Sequence, residues 1–524
     1  MLRYTPRHIG FEAAVDGPQL VVEASFNGFR AASQPVPAAV EPGFDTLFEL
    51  PLPAGPPHAL LHLAERVHIA VVRVDPQGVE PGPVRTVIGA YDLEWRGVLA
   101  AVRDKASLEL RGVGEGASVT AGLLDVALSV SPPFACTGLL QEPELRKALK
   151  DERTREAQAD KAFLIYAKQW WREYLAARDV HRHRVVKVLA ENEAGVSRPV
   201  STFVTPLPAG RLLGSPRAAA RFVALLHHVR PLRVGGERAE IWHAPASVLA
   251  QGAGAIHDLA LLLASLFLGF GLNAYVAVGT GPAGAYTWVV TLDSPATGAG
   301  PVFWDVLSGE AHDDLTSPDT SALFATVGTL FNNTQLYANA QASDAVATTA
   351  FDVTNPDHWA AMDPDVLAAS RPAARTALLP SPMDAIDAAL GLETVVAARL
   401  ESYRRELGLS TVWSHPLSHL LEPALATYEL ERLAGAAVPG NAEFQQAVRA
   451  HVPRGSVFKA FPIQFKSPSP APIWAALLDS PVAASIIQSP HPRAKFGLRV
   501  SVATYPDAVA AVWLVIALIY PKST

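Results

Sequence analysis

The run Gly252-Ala253-Gly254-Ala255-Ile256-His257-Asp258-Leu259-Ala260-Leu261-Leu262-Leu263 decides how the middle of this chain folds. From Asp258 to Phe270 the side chains are apolar nearly all round. A helix without a polar face is enclosed by protein, so residues 258–270 are predicted to form a central buried helix. Gly269 and Gly271 punctuate its end, and three runs that read as strands follow, at 274–278, 286–292 and 302–306. One buried helix feeding a sheet is the organisation of this region.

Upstream, residues 8–132 read as all-β. Leu20, Val22, Ala24 and Phe26 alternate with Val21, Glu23, Ser25 and Asn27, and Leu124, Val126, Leu128 and Val130 alternate with Leu123, Asp125, Ala127 and Ser129. Period-two alternation marks half-buried strands. Further strands are predicted at 44–50, 67–74, 84–91 and 107–110, separated by turns such as Asp75-Pro76-Gln77-Gly78. Many short strands with Gly/Pro punctuation point to a β-sandwich. Residues 141–179 then read as helix, with Phe163, Tyr166, Trp170 and Tyr174 forming an apolar stripe. Ser215-Pro216-Arg217 opens a helix over 218–228, with proline at its first position. After an Ala/Pro/Ser-rich loop at 368–386, helices are predicted at 385–408, 416–433 and 441–451. Strands are predicted at 458–465, 497–504 and 509–520, with a helix pair at 473–487. No internal repeat is visible.

The chain has 524 residues, of which 49% are hydrophobic and 18% charged, so it can bury a large core and is not a disordered protein. Its formal net charge of −7 argues against a mainly electrostatic nucleic-acid binder. Cys136 is its one cysteine, which excludes an intrachain disulfide and a Cys-rich zinc site and suits a reducing compartment. The first residues show no signal-peptide pattern. The apolar run at 508–520 is 13 residues, short of the about 20 that a spanning helix needs, and is expected to be a core strand.

Several local patterns carry little chemistry. Gly112-Val113-Gly114-Glu115-Gly116 lacks the following helix and the Gly-Lys-Ser/Thr end of a phosphate loop, and is expected to be a turn. His181-Arg182-His183-Arg184 is expected to be a solvated turn at a helix end, where cations suit the dipole. His227-His228 has no second ligand pair at metal spacing. Asp16, Asp45, Asp75, Asp92, Asp104 and Asp125 are scattered singly, whereas calcium needs converging oxygens, so calcium is not expected. No cofactor and no metal is expected.

The helix start at Ile256-His257-Asp258, with Tyr286-Thr287-Trp288-Val289 and Phe303-Trp304-Asp305 beyond it, resembles the transglutaminase-like, papain-type core. In that family a cysteine begins the buried helix two residues before an acid, a histidine precedes a Trp-Val strand, and an Asp or Glu follows Trp on the next strand. The resemblance puts Ile256 at the nucleophile position, Tyr286 at the histidine position and Asp305 at the acid position. Ile256 has no nucleophilic atom, and the Tyr286 phenol is a poor general base. The cysteine route is therefore closed, and His257, Asp258, Trp288 and Trp304 stand as candidate cleft residues that bind a partner. The alternative is a divergent hydrolase or transferase with a non-thiol site near Asp305, whose sign would be a Ser, Thr or His close to that carboxylate.

The likeness continues through Tyr91-Asp92-Leu93-Glu94-Trp95-Arg96-Gly97-Val98-Leu99, Tyr166-Ala167-Lys168-Gln169-Trp170-Trp171-Arg172-Glu173-Tyr174-Leu175 and Pro206-Leu207-Pro208-Ala209-Gly210-Arg211-Leu212-Leu213. It extends to Ser343-Asp344-Ala345-Val346, Leu407-Gly408-Leu409-Ser410-Thr411-Val412-Trp413 and Phe461-Pro462-Ile463-Gln464-Phe465. In order and spacing these blocks resemble the centrosomal protein of 76 kDa family, from about residue 15 to 520. The resemblance implies a multi-domain chain: an N-terminal C2-like β-sandwich over 1–135, a helical linker over 136–195, a degenerate transglutaminase-like α+β domain over 196–365, and a family-specific C-terminal α+β domain over 366–524. Members of that family typically carry a longer N-terminal extension. The resemblance further implies a non-enzymatic scaffold at the centrosome, centriole or basal body. Such a scaffold would restrain centriole duplication through contacts with the centriole-capping machinery, with no nucleic acid and no integral membrane segment.

Overall fold

The structure, a computed structural model, describes residues 3–6, 17–75, 85–101, 103–113, 119–134, 139–230, 240–292, 300–314, 317–435, 446, 448 and 450–522. Cys136, most of the 112–116 glycine run, the 75–78 turn beyond Asp75, and most of the helix predicted at 441–451 lie outside them. The chain divides into two compact units, with the boundary between Leu379 and Pro380.

The first unit opens with eight antiparallel strands: β1 (Arg3–Pro6), β2 (Gln19–Phe26), β3 (Phe29–Ala32), β4 (Val36–Pro37), β5 (Val67–Val74), β6 (Arg85–Leu93), β7 (Arg103–Arg111) and β8 (Thr120–Ser129). Their order is β1-β8-β7-β6-β5-β2-β3, with β4 also on β2. Strands β6 and β7 meet at a single residue pair, Ala90 with Arg111, so the ladder falls into two sets. Their apolar faces close on one core: Val22, Phe26, Ile69 and Val71 from one set pack with Leu108, Leu110, Leu124 and Val126 from the other. The strand predicted at 44–50 is absent. Phe44 is buried in the core, but Leu47 is 79% exposed, Asp45 has a positive φ of 31°, and Pro51 and Pro53 follow, so the segment has no ladder to join.

Helix α1 (Glu142–Ala177) has Pro143 in its first turn and buries Leu145, Phe163, Ala167, Trp170 and Tyr174. Leu145 joins the sandwich core, and Trp170 Nε1 donates to the Ala361 carbonyl at 3.0 Å. The basic tetrad beyond α1 is solvated only at Arg182 and His183, whereas His181 and Arg184 are buried. It forms a 3-10 helix (Asp179–His183) in which His181 is 1% exposed and stacks on Tyr174 at 4.1 Å between ring centres. Arg184 is also buried and donates to the carbonyls of Asn339 and Gln341. The two inward side chains meet backbone carbonyls, His181 Nδ1 that of Tyr174 and Arg184 those of Asn339 and Gln341.

The central region contains β9 (Leu189–Asn192), β10 (Ser197–Pro199), α2 (Pro216–Leu225), β11 (Ile241–Trp242), α3 (Pro245–Gln251) and α4 (Ile256–Gly269). Helix α2 stops at Leu225 rather than at His228. Helix α4 is the predicted core helix, with Leu259 through Phe267 all buried. It packs on β12 (Ala274–Gly281) and β13 (Gly284–Thr291), two strands of a seven-stranded antiparallel sheet. The others are β14 (Val302–Trp304), β15 (Ala311–His312), β16 (Thr326–Phe331), β17 (Leu336–Asn339) and β18 (Trp359–Ala361), in the order β15-β14-β13-β12-β16-β17-β18. At the bulge between β12 and β16, a Cβ on Gly279 would lie 1.8 Å from the Thr326 carbonyl oxygen, so only glycine fits.

The second unit holds α5 (Ala385–Glu406), α6 (His415–Ala434), β19 (Ser456–Phe465), α7 (Pro470–Asp479), α8 (Pro481–Ile487), β20 (Lys495–Thr504) and β21 (Ala510–Pro521). The apolar 508–520 run forms β21, the middle strand between β19 and β20. Val512, Leu514, Ile516 and Leu518 face one cluster with Val396, Leu400 and Ile486, whereas Trp513, Val515 and Ile519 face another with Leu417 and Leu425. Both faces are covered, which is why the run is apolar without alternation. Among the described residues no single helix is long and apolar enough to cross a membrane.

Candidate functional site

The start of α4 is an ionic network. Ala255 is the N-cap and has no side-chain acceptor, so Asp258 supplies one from inside the first turn: Oδ2 accepts the Ala255 N–H at 3.0 Å. The same carboxylate accepts the His243 N–H at 2.8 Å and meets His243 Nδ1 at 3.0 Å. It therefore ties the helix start to the segment entering α3. His257, 2% exposed, donates from Nε2 to the Ile241 carbonyl at 2.9 Å and from Nδ1 to Glu240 Oε1 at 2.9 Å. Both ring nitrogens face acceptors, so the imidazolium is the satisfied form. Lys187 Nζ closes the chain on Glu240 Oε2 at 2.9 Å.

The titration directions follow from this wiring. Burial opposes charge on His257, but Asp258 and Glu240 outweigh it and hold the imidazole above its ordinary value. Burial likewise opposes charge on His243, yet Asp258 raises it to about 9. Glu240 is lowered to about 2 by His257 and Lys187 against its own burial. Asp258 is lowered despite full burial, by His257 and His243. His257 stacks on Trp242 with ring centres 5.2 Å apart, which fixes the ring.

The second group sits on the sheet. Strands β13 and β14 pair with Val289 opposite Trp304, and this register brings Tyr286 to Asp305. The Tyr286 hydroxyl donates to Asp305 Oδ1 at 2.6 Å. Burial and the adjacent carboxylate both push the phenol far above its ordinary value. Asp305 also accepts the N–H groups of Leu307 and Ser308, at 3.2 and 3.0 Å. Among the described residues no Ser, Thr or His side chain bonds this carboxylate. The Ser308 hydroxyl instead accepts the Glu310 N–H at 3.2 Å.

Ile256 is half-buried at the first position of α4. Among the described residues no hydrogen bond or ion pair links the helix-start group to the Tyr286–Asp305 pair. The four candidate cleft residues are all buried, at 2% (His257), 1% (Asp258), 0% (Trp288) and 7% (Trp304). Trp288 is core, packed on Phe303 and Phe324. Trp304 borders a pocket of about 380 Å³, where the Arg217 guanidinium lies 5.9 Å from its ring centre. Sequence reasoning missed Glu240 and His243. Their one signal is that they bracket the apolar pair Ile241-Trp242 just before Pro245. Among the described residues no group of three or more His, Cys, Asp or Glu side chains could hold a metal ion.

A β-sandwich, an α4-centred α+β core and a terminal α+β unit correspond to three family models. The CEP76 C2 domain matches residues 12–135, the CEP76 peptidase-like domain matches 240–362, and the Centrosomal protein of 76 kDa C-terminal domain matches 381–521. The class is thus a multi-domain protein with a C2 domain and a peptidase-like domain. The chain is 38% identical to Centrosomal protein of 76 kDa of Mus musculus over 521 residues, covering 94% of this chain and 77% of that one. The Homo sapiens protein of the same name gives 38% over 521 residues, with the same coverage of 94% and 77%. This chain belongs to the centrosomal protein of 76 kDa family. A solved structure of Legionella pneumophila LapG (EGTA-treated) aligns with 24% of this chain and 64% of its own, at 15% identity and a TM-score of 0.20, too slight a likeness to bear on fold or chemistry.

Proposed function

We propose that this protein is a non-enzymatic scaffold at the centrosome, on centrioles or basal bodies, whose peptidase-like domain is catalytically inert. The observation that carries the inert site is the Tyr286–Asp305 pair. A phenol donating at 2.6 Å to a carboxylate, with its own ionisation pushed far upward, does not take a proton from a nucleophile. Ile256 at the helix start offers no nucleophile to activate. Domains without reacting groups leave binding as their function. The centrosomal location rests on the names of the relatives, and the role follows from the family reading: the chain restrains centriole duplication by contacting the centriole-capping machinery.

The buried positions of His257, Asp258 and Trp288 argue that partners engage the outer surface of the domain rather than these side chains. A fluorescently tagged copy in its own cell tests the location, with signal expected on centrioles or basal bodies. Absence from both would remove the reading. Incubating the purified chain with glutamine-donor and amine-donor peptides tests the inert site, and any product would restore the hydrolase or transferase alternative.

A further inference from the structure

Within the first unit, a cavity of about 820 Å³ opens between the β5–β6 end of the sandwich, the segment around Asn192–Thr205, and the chain at Leu367–Arg375. That volume falls in the range of about 300–1,000 Å³ usual for small-molecule sites. Four residues on its wall carry buried polar atoms that find no hydrogen-bond partner among the described residues: Arg66 Nε, His68 Nε2, Glu193 Oε2 and Ser370 Oγ. Buried polar atoms are nearly always paired, so four unpaired ones on one wall mark a place that takes its partners from a bound molecule. Both His68 and Ser370 are buried residues, at 9% and 4% exposed.

Their chemistry defines the guest. The nearest carboxylate oxygen to Arg66 Nε is that of Glu94 at 3.9 Å, beyond hydrogen-bond reach. His68 Nδ1 is held by Asp92 Oδ1 at 2.9 Å. Asp92 favours charge on this ring against burial, and the charged ring carries an N–H on its unpartnered Nε2. The Ser370 hydroxyl is a third donor. Arg111 at the rim makes no side-chain hydrogen bond or ion pair among the described residues, which adds an uncompensated cation. Of the three carboxylates on the wall, Asp92 is held by His68 and Glu65 by Arg375, and Glu193 keeps an oxygen without a partner among the described residues. Three donor groups and the Arg111 cation suit an oxyanion, and the unpartnered carboxylate oxygen suits a hydroxyl beside it.

We propose that this cavity is a binding site for a small hydroxyl-bearing organic oxyanion, with the oxyanion on Arg66, His68 and Ser370 and a ligand hydroxyl donated to Glu193. This site is independent of the centrosomal reading. Calorimetric titration of the full chain with inorganic phosphate, adenosine monophosphate, myo-inositol 1-phosphate and citrate tests it. At least one organic probe should bind about tenfold or more tightly than inorganic phosphate. Ser370→Ala and Glu193→Gln, both nearly isosteric, should each weaken that probe about tenfold or more while the urea midpoint stays unchanged. Arg146→Ala, on exposed α1, should leave the affinity unchanged.

Three outcomes overturn the proposal. The first is no heat with any probe at about 1 mM, which leaves ordered water as the occupant. The second is binding that both near-isosteric variants leave within about twofold, which places the probe elsewhere. The third is equal affinity for inorganic phosphate and the organic probes, which removes the hydroxyl contact to Glu193.

Discussion

Asp258→Asn tests the network at the start of α4. The amide keeps the volume and one acceptor but removes the charge that the Ala255 N–H, the His243 N–H and the His243 ring share. The magnitude follows from His243. Its folded-state value is about 9 against an ordinary 6.5, and its side chain is 23% exposed. Each pKa unit is worth about 1.4 kcal/mol, so the interaction contributes about 2–3 kcal/mol at neutral pH. A raised value means that the folded state binds the proton more tightly. The contribution is therefore fully present below pH 6.5 and is lost as pH rises through about 9. Asp258 is lowered, so its own contribution is present above the ordinary carboxylate range and is lost in acid. Urea unfolding followed by tryptophan fluorescence, with Trp242 stacked on His257 as a local reporter, measures both effects. The wild type should lose stability between pH 6.5 and 9. The Asn variant should be about 2–3 kcal/mol weaker at pH 6.5 and should lose less stability above it, keeping the part that Glu240 gives through His257. A variant within about 0.5 kcal/mol of wild type at pH 6.5, or one with an undiminished slope, would refute the network as a source of stability.

Ile256→Cys in a Cys136→Ser background places a thiol at the first position of α4. Its iodoacetamide rate against pH should titrate below about 8.5, and a value at or above that would mean that the helix start no longer favours an anion. Tyr286→Phe removes the hydrogen bond to Asp305 at the cost of about 1–3 kcal/mol of domain stability. It should still restore normal centriole number in depleted cells, and loss of rescue by a folded variant would point to a role for the phenol. Arg404→Lys should destabilise the second unit by about 2–4 kcal/mol in a urea melt. The guanidinium is 1% exposed and serves the carbonyls of Ser410, Ile487 and Ser489, and one ammonium cannot reach all three. A midpoint unchanged from wild type would show that those carbonyls find other donors.

The parts of this fold that were legible in sequence have one-dimensional signatures. Helix α4 announced itself because Leu259–Phe267 has no polar face, and β21 because both of its faces are covered. Strands β16, β17 and β18 were missed. They are short, and Val327, Leu330 and Tyr337 reach the core from segments interrupted by Gly328, Asn332 and Asn339, so no period emerges. The strand expected at 44–50 failed because alternation predicts a face but cannot supply a neighbour. The basic tetrad at 181–184 misled for a related reason. Charge density suggests solvent, but His181 is paid for by stacking on Tyr174 and Arg184 by carbonyls more than 150 residues away in sequence. Tyr286 and Asp305 were singled out by the resemblance to the papain-type core, which makes them the histidine and acid positions. The pairing of Asp258 with His243 was not foreseen, because it crosses α3 and depends on the path of the intervening chain.

Both acids of the peptidase-like pattern hold structure here, and neither needs a nucleophile to do so. Asp258 caps α4 through the Ala255 N–H and anchors the residue 243 backbone, and no atom of the residue 256 side chain enters that arrangement. Asp305 closes the turn after β14 through the N–H groups of Leu307 and Ser308, and its Oδ1 also takes a phenol hydroxyl, a donor whose place an imidazole N–H could fill. A carboxylate is satisfied by the donor and is indifferent to what else that donor could do. The hydrogen bonds of these two acids therefore require neither a thiol at residue 256 nor an imidazole at residue 286. Persistence of the two acids on such a fold is consequently no sign of turnover. On the inert-site proposal, an Ile256→Cys, Tyr286→His double variant should gain thiol reactivity over Ile256→Cys alone, and a folded double variant with no such gain would show that the imidazole at 286 does not reach a thiol at 256.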